Sequence, residues 1–260
     1  MGHKRGITDD LIGELTASPV PTGQSGCEIF RLDGPDGLAR AYLKHGSGPL
    51  AEDVAEEMTR LRWLRPRLAV PSIIRFVATA DECWLVTSVM KGESARALLD
   101  GQPDDRNPIV DALAAFLRCI HDLPIDECPF EARLERKLSE ARARIDAELV
   151  DVADFDQEHQ GWSAEDVWKT IERLLPFEPD LVVTHGDFSL DNVLLESTRN
   201  TGCIDVGGVG LADRYRDLAI CWSDLAHYGP ESQKRFLTAY GVGQGEQSKL
   251  KAYQLLNELF

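Results

Sequence analysis

Three side chains within one short stretch have the types and the spacing that proton transfer and magnesium binding require. An apolar run leads to His185-Gly186-Asp187, Asn192 follows Asp187 by five positions, and Asp205 comes after a second apolar run and a polar turn. A loop carboxylate such as that of Asp187 can accept a proton from a hydroxyl group. Amide and carboxylate oxygens are hard ligands, which Mg²⁺ prefers alongside phosphate oxygens and water.

The same set of residues, a loop Asp, an Asn five positions on and a later Asp at a strand end, serves phosphoryl transfer in protein kinases. Asp and Asn are also common turn residues, so their spacing alone would fit two ordinary strands joined by acidic turns. The complete string, from His185 through Ile204-Asp205-Val206-Gly207, is much harder to obtain by chance. It favours a phosphotransfer site.

A second constellation lies nearer the N-terminus. Lys44 ends a predicted strand, and Glu57 follows 13 positions later on a helix predicted for residues 50–64. In protein kinases a strand lysine of this kind orients the nucleotide phosphates, and a helix glutamate steadies it. A solvated lysine and one glutamate among several would explain these two residues equally well if they were taken alone.

Composition narrows the choice of partner. The 260 residues suffice for one large domain or two coupled lobes. The formal net charge of −16 argues against nucleic acid or an anionic membrane surface as partner, and weakly favours a cationic small molecule. No apolar run is long enough to span a membrane. The six cysteines form no Cys-x-x-Cys pair, which is typical of a cytoplasmic protein, and we expect a monomer or weak dimer.

The chain changes from strand-like to helical patterns near residue 90. We predict an N-terminal nucleotide-binding lobe over residues 1–90 and a C-terminal catalytic and substrate-binding lobe over residues 91–260. In the first lobe, a short helix within residues 1–21, which Asp9 and Asp10 could cap, precedes strands over residues 28–32, 38–44, 73–80 and 83–90. In the second, apolar periodicity predicts helices over residues 109–121, 134–150, 165–175, 213–225, 232–240 and 247–260.

Taken in order, these pieces resemble the aminoglycoside O-phosphotransferases, specifically the 3′-phosphotransferase group of kanamycin and neomycin kinases. The resemblance extends from about residue 22 to residue 260. It is carried by the stretch around Asp187 and Asp205, by Asp213-Arg214-Tyr215 and by the C-terminal Glu258-Leu259-Phe260. The resemblance implies a bilobal, protein-kinase-like α/β fold, with a β-rich N-terminal lobe and a mostly helical C-terminal lobe.

The resemblance also implies a role for each residue of the two constellations. Asp187 would be the catalytic base, and Asn192 and Asp205 would bind Mg²⁺. Lys44 would contact the phosphates of ATP or GTP and would pair with Glu57.

Further positions around the nucleotide follow from the same resemblance. Ser25 would belong to a phosphate loop, Tyr42 to an adenine-stacking face, and the segment from Ser88 to Met90 to the hinge between the lobes. Asp217 resembles the structural aspartate that braces the catalytic loop of the family.

In this family acidic groups hold the polyamine substrate, and the matching positions here are Asp156, Glu158, Glu258 and the terminal carboxylate of Phe260. A cationic acceptor needs such anions, because they strengthen one another in a partly dry cleft. The resemblance therefore implies an ATP-dependent enzyme that phosphorylates a hydroxyl of an aminoglycoside, with the 3′ position favoured, and so gives antibiotic resistance.

The sequence departs from the family mainly where the acceptor should bind. Gly208 stands where the family usually has Arg, Gln157 where it has an acidic residue and Asn257 where it has Asp, and a further Arg is replaced around Ser223. Two other hypotheses therefore stay open. The acceptor could be a different antibiotic or a cationic metabolite, or the protein could bind a nucleotide without catalysis. A protein of the last kind would be expected to lack some of the residues named above.

Overall fold

The structure is a computed structural model that describes residues 12–20, 26–102, 105–197, 200–243 and 246–260. The chain divides into two units, Met1–Gly92 with Gly202–Gly207 and Glu93–Thr201 with Gly208–Phe260. Among the described residues, no helix has the length and apolarity needed to cross a membrane.

The first unit is built on one antiparallel sheet and one long helix. Its elements are β1 (Thr16–Val20), β2 (Glu28–Asp33), β3 (Ala39–Ser47), α1 (Pro49–Leu64), β4 (Ile73–Ala78) and β5 (Glu82–Ser88). The five strands have the order β1-β2-β3-β5-β4. Leu43 and Trp84 belong to one buried cluster on this sheet. Since successive side chains of a strand face opposite sides, Lys44 points away from the side that Leu43 faces.

The helix predicted within residues 1–21 is wrong in its last part. Thr16–Val20 is an edge strand that pairs antiparallel with β2. Pro19 cannot donate a helical hydrogen bond, whereas an edge strand tolerates it. The residues proposed to cap that helix, Asp9 and Asp10, lie outside the described residues.

The second unit is mostly helical. Its helices are α2 (Ala95–Gly101), α3 (Asn107–His121), α4 (Leu134–Asp146), α5 (Ala164–Leu174), α6 (Tyr215–Ala226), α7 (Pro230–Tyr240) and α8 (Gln247–Asn257). Its strands are β6 (Glu93–Ser94), β7 (Leu181–Thr184), β8 (Val193–Ser197), the start of β9 (Asn200–Cys203) and β10 (Gly210–Asp213). β6 pairs with β8 and β7 with β10, both antiparallel. Together the two units confirm the predicted α/β class, with a β-rich N-terminal part and a mostly helical C-terminal part.

β7 and β10 position the segment that follows Thr184. β10 leads directly into α6, and the backbone N–H of Tyr215 donates to Asp213 Oδ1 at 2.8 Å, so that the Asp213 side chain holds the start of the helix. The helix predicted from residue 213 therefore begins two residues later. The strand Gly210–Asp213 was missed because a strand of four residues carries too little alternation to be recognised.

Candidate active site

Lys44 lies inside the sheet of the first unit, and its ammonium group bonds two carboxylates. Nζ donates to Glu57 Oε2 at 2.7 Å and to Asp205 Oδ1 at 3.0 Å. The predicted ion pair with Glu57 is therefore present, and Asp205 joins it. Burial by itself lowers the pKa of Lys44, but the charges of the two carboxylates outweigh this effect and raise the pKa. Burial raises the pKa of Glu57, against the opposing charge of Lys44.

A glycine at the end of β3 lets α1 bring Glu57 to the lysine. A Cβ on Gly46 would lie 2.6 Å from the carbonyl carbon of Leu50, which is closer than such atoms approach. Only glycine therefore allows the end of β3 to pack against the first turn of α1. Further along the helix, Glu57 shares a buried face with Val54 and Leu61, at spacings of three and four residues.

Asp205 has an unusual backbone conformation. Its φ is 54°, in the left-handed region that residues with side chains rarely adopt, and its side chain is 42% exposed. The preceding chain is fixed because the N–H of Cys203 donates to Ala69 O at 3.0 Å. A Cβ on Gly202 would lie 2.7 Å from the same oxygen, so the close approach requires glycine there. A strained, half-exposed acidic residue beside a buried lysine is typical of a functional site.

The other predicted nucleotide residues of the first unit are placed as follows. Tyr42 is half-buried in β3, opposite Thr87 of β5. Ser88 exchanges two hydrogen bonds with Ser72: its N–H donates to Ser72 O, and its hydroxyl accepts from Ser72 N, each at 2.9 Å. Met90 lies against Gly202, and Ser25 lies outside the described residues. Their roles toward a nucleotide stay predictions.

In the second unit the predicted base and one predicted metal ligand lie together. Asp187 is exposed in the loop that follows β7. The amide nitrogen of Asn192 donates to Asp187 Oδ2 at 2.8 Å and to its backbone oxygen at 3.1 Å. These two bonds fix the distance between the residues and leave the Asn192 amide oxygen turned away from the carboxylate.

A buried carboxylate holds this loop from behind. Asp217 accepts the backbone N–H of His185 at 2.6 Å and that of Gly186 at 2.7 Å, and His121 Nε2 lies 3.0 Å from its Oδ2. Burial would raise the pKa of Asp217, but the hydrogen bond and charge of His121, with further cations nearby, lower it. Asp217 therefore braces the loop that carries Asp187, as predicted.

Position 186 requires glycine, both for its backbone conformation and for the space around it. Its φ is +88°, which favours glycine, and a Cβ there would lie 2.6 Å from the carbonyl carbon of Gly208. Gly208 thus packs its main chain directly against the residue before Asp187.

Most of the acidic residues predicted to bind the substrate already bond to other groups of the same chain. Glu258 is 6% exposed at its side chain, pairs with His159 Nδ1 at 2.8 Å and accepts the backbone N–H of Asp156 at 3.0 Å. The exposed Glu158 pairs with Lys251 at 3.1 Å instead. The structure therefore joins Asp156 to Glu258, through the backbone, and does not bond Glu158 to either of them.

Comparison with known proteins identifies the family. The model of the phosphotransferase enzyme family matches residues 16–256. The chain belongs to this family. An aminoglycoside 3′-phosphotransferase of Escherichia coli is 47% identical over 238 residues, which cover 92% of this chain and 88% of that protein. One of Streptomyces fradiae is 36% identical over 253 residues, with coverages of 93% and 94%.

A solved structure agrees with these relatives. The crystal structure of aminoglycoside-3′-phosphotransferase of type VIII superimposes with a TM-score of 0.84 at 34% identity, and the match covers 100% of this chain and 99% of that one. The resemblance inferred from the motifs is confirmed, and this phosphotransferase is placed with the 3′-phosphotransferase group.

Three cations near the loop and the C-terminus of this phosphotransferase were not predicted. Arg144 donates to the backbone oxygens of Leu259 and Phe260 at 2.8 and 2.9 Å. Lys137 Nζ lies 3.7 Å from the centre of the Phe260 ring. Arg216 lies beside Gly186. Lys137 and Arg144, seven residues apart on α4, looked from sequence like part of an ordinary charged helix face.

Burial lowers the pKa of Lys137 to about 8. The positive charges of Arg216 and Arg144 contribute to this shift, whereas the carboxylates of Glu140 and Asp187 oppose it. Lys137 is therefore close enough to Asp187 for the two charges to interact.

Asn192 and Asp205 fit a magnesium ion by the chemistry of their donor atoms. Asn192 uses only its amide nitrogen in the bonds described above, and Asp205 gives one oxygen to Lys44. Within the described part of the chain, no three or more His, Cys, Asp or Glu side chains form a metal-binding group. Magnesium bound with a nucleotide takes one or two protein ligands besides phosphate oxygens and water, and each of these two residues, one in each unit, carries a donor of that kind.

Replacing the brace is expected to destabilise the protein strongly. Asp217→Asn leaves an amide nitrogen facing backbone donors, so we expect the free energy of unfolding to fall by about 2–4 kcal/mol. Urea unfolding at neutral pH measures this change. Asp191→Asn is the matched control: that carboxylate is 60% exposed and pairs with Arg96, so its loss should cost less than about 1 kcal/mol. Equal losses in both variants would contradict the bracing role.

The pKa of Lys137 predicts a pH-dependent stability. Between about pH 8 and its ordinary value of 10.5, the unfolded chain binds more protons at this residue than the folded chain does. The wild type should therefore gain about 1–3 kcal/mol of unfolding free energy relative to Lys137→Met as the pH rises through this window. Urea unfolding at the two ends of the window tests this. Lys137→Arg is the control: the difference between the Met and Arg variants should stay constant, because neither side chain titrates there.

Proposed function

We propose that this protein transfers the terminal phosphoryl group of ATP to a hydroxyl of an aminoglycoside, with the 3′-hydroxyl favoured. The observation that carries the proposal is the exposed Asp187 carboxylate, fixed by Asn192 on a braced loop, in a chain that also holds Lys44 bonded to Glu57 and Asp205. The names of the relatives described above support the choice of acceptor.

The proposed mechanism relies on positioning and charge. Lys44, held by Glu57, binds and orients the phosphates of the nucleotide. Asn192 and Asp205 would be the ligands of Mg²⁺, which neutralises phosphate charge when it is bound. Asp187 aligns the acceptor hydroxyl and takes its proton late, since phosphoryl transfer has a loose transition state that needs little nucleophilic push. GTP is an alternative donor to ATP.

Acidic groups are proposed to hold the cationic acceptor. Asp156 and Glu158 are exposed, and Asp156 is tied by its backbone to Glu258. Gly208 and Gln157 motivate a second candidate, the same reaction on a different antibiotic or cationic metabolite. A non-catalytic nucleotide-binding role is disfavoured because the phosphotransfer residues are all present.

The cellular compartment and the oligomeric state of the enzyme are also part of the proposal. All six cysteines are free thiols, and five of them are buried, which agrees with a reducing compartment. We infer a cytoplasmic enzyme, a monomer or weak dimer, that confers resistance by modifying the antibiotic.

Replacing the base should abolish turnover and spare nucleotide binding. Asp187→Asn keeps the size of the side chain but cannot take a proton, so we expect kcat to fall about 100- to 10,000-fold while ATP affinity stays within about twofold. Asp191 is a second exposed aspartate in the same loop, and the control variant Asp191→Asn should keep the wild-type kcat. Unchanged turnover in Asp187→Asn would refute the assignment of the base.

The acceptor is tested by ADP release from Mg·ATP with kanamycin and with tobramycin, which lacks the 3′-hydroxyl. We expect turnover with kanamycin only. Turnover with both would move the reaction to another hydroxyl, and turnover with neither, with ATP binding demonstrated, would mean a different acceptor class.

A further inference from the structure

A buried chain of hydrogen bonds leads from the brace Asp217 to Tyr240, the last residue of α7. His121, the last residue of α3, lies between them. Its Nε2 is 3.0 Å from Asp217 Oδ2, and its Nδ1 is 2.7 Å from the Tyr240 hydroxyl. All three residues are buried, and the His121 and Tyr240 rings meet edge to face with their centres 5.6 Å apart. Packing and hydrogen bonds therefore hold the imidazole in one orientation.

The chain continues from Tyr240 to the beginning of β7. Arg214 Nη1 donates to the Tyr240 hydroxyl at 2.8 Å, and its Nη2 donates to Asp180 Oδ1, also at 2.8 Å. Asp180 directly precedes β7, whereas the N–H that Asp217 accepts at 2.6 Å belongs to His185, directly after β7. Hydrogen bonds therefore link both ends of this strand, which leads to the proposed base, to one tyrosine hydroxyl.

The hydroxyl decides which nitrogen of His121 carries a proton. Arg214 can only donate, so the hydroxyl accepts from it and retains a proton that it can donate to Nδ1 of a neutral ring. The ring proton is then on Nε2, where it is donated to Asp217. If the ring gains a second proton, the hydroxyl accepts from Nδ1 instead, and Nε2 keeps its proton. Burial raises the pKa of Tyr240, against the positive charge of Arg214, so the hydroxyl itself stays protonated.

We propose that Tyr240 is a positioning residue for the loop that carries Asp187, because its hydroxyl holds His121 with the Nε2–H directed at the brace Asp217. This inference rests on the proposed function, in which Asp187 is the base. Without the hydroxyl, Nδ1 of the ring loses its partner, and the Nε2–H bond to the brace weakens. The backbone before Asp187 should then open more often, and the base should spend less time in its productive position.

The first measurement compares the kinetics of Tyr240→Phe and Tyr228→Phe. Tyr240→Phe removes only the hydroxyl, so we expect kcat to fall about 10- to 100-fold while KM for ATP stays within about twofold. Tyr228 is the matched control, a half-buried tyrosine of the same unit whose hydroxyl donates to Asp100 at 2.7 Å. Tyr228→Phe should keep the wild-type kcat. Wild-type kcat in Tyr240→Phe would overturn the proposal.

A double-mutant cycle shows whether Tyr240 acts through His121. In the His121→Gln background the imidazole is absent, so Tyr240→Phe should lower kcat less than about threefold there, against its full effect in the wild type. Equal effects in the two backgrounds would mean that the hydroxyl acts by another route, and would overturn the proposal.

Hydrogen exchange gives a readout that needs no acceptor. The backbone amides of His185 and Gly186 report opening of the loop, because Asp217 accepts both N–H groups. In Tyr240→Phe we expect these two amides to exchange about tenfold faster relative to the amide of Leu113, a buried residue in the middle of α3 that serves as the reference for general stability. An equal change at all three amides, or no change, would overturn the positioning role.

The His121 ring itself is the last readout. Nitrogen-15 NMR, with His121→Gln for assignment, should show a proton on Nε2 in the wild type, and a ring protonated only at Nδ1 would overturn the proposal. If the wild type leaves kanamycin untouched, selective exchange at His185 and Gly186 together with a proton on Nε2 would still uphold the role of Tyr240 and reject only the acceptor.

Discussion

The buried carboxylate of Asp217 makes the contacts on which the arrangement of the loop carrying Asp187 depends. A charge in the protein interior is stable only when hydrogen bonds and opposite charges replace its water. Here two consecutive backbone N–H groups and the ring of His121 do so, which fixes the chain at His185 and Gly186. Asp187, the next residue, is exposed and yet held on rigid backbone, the combination that a reactive group needs.

The first unit uses a comparable device around Lys44. Two carboxylates share one buried ammonium group, and a nucleotide phosphate would enter a network whose charges are already arranged. Close main-chain packing supports both devices. Gly46 and Gly202 in the first unit, and Gly186 in the second, lie where any side chain would overlap backbone atoms. Small residues at these points let the chemical groups be positioned by backbone, which moves less than side chains do.

Charge on the acceptor side is more balanced than the net charge of −16 indicates. His159 hydrogen-bonds Glu258, Lys251 pairs with Glu158, and Arg144 binds the backbone oxygens at the C-terminus. An anion that already has a cationic partner attracts a polyamine less strongly than an open one, because the ligand must compete with that partner. If the proposed acceptor binds at these residues, it must compete with such pairs, so net charge alone does not describe its binding.

The sequence by itself determined the family and the main helices, and it predicted the phosphotransfer residues. Asp187, Asn192 and Asp205 could be recognised because their spacing is local, and helices such as α3 because their apolar residues repeat with the helical period. The short strands Thr16–Val20 and Gly210–Asp213 could not, since their pairing partners lie elsewhere in the chain. Only the tertiary structure decided which charges meet. Lys137 looks like a solvated surface residue in the sequence, and it is the packing of the C-terminal Phe260 against α4 that covers it.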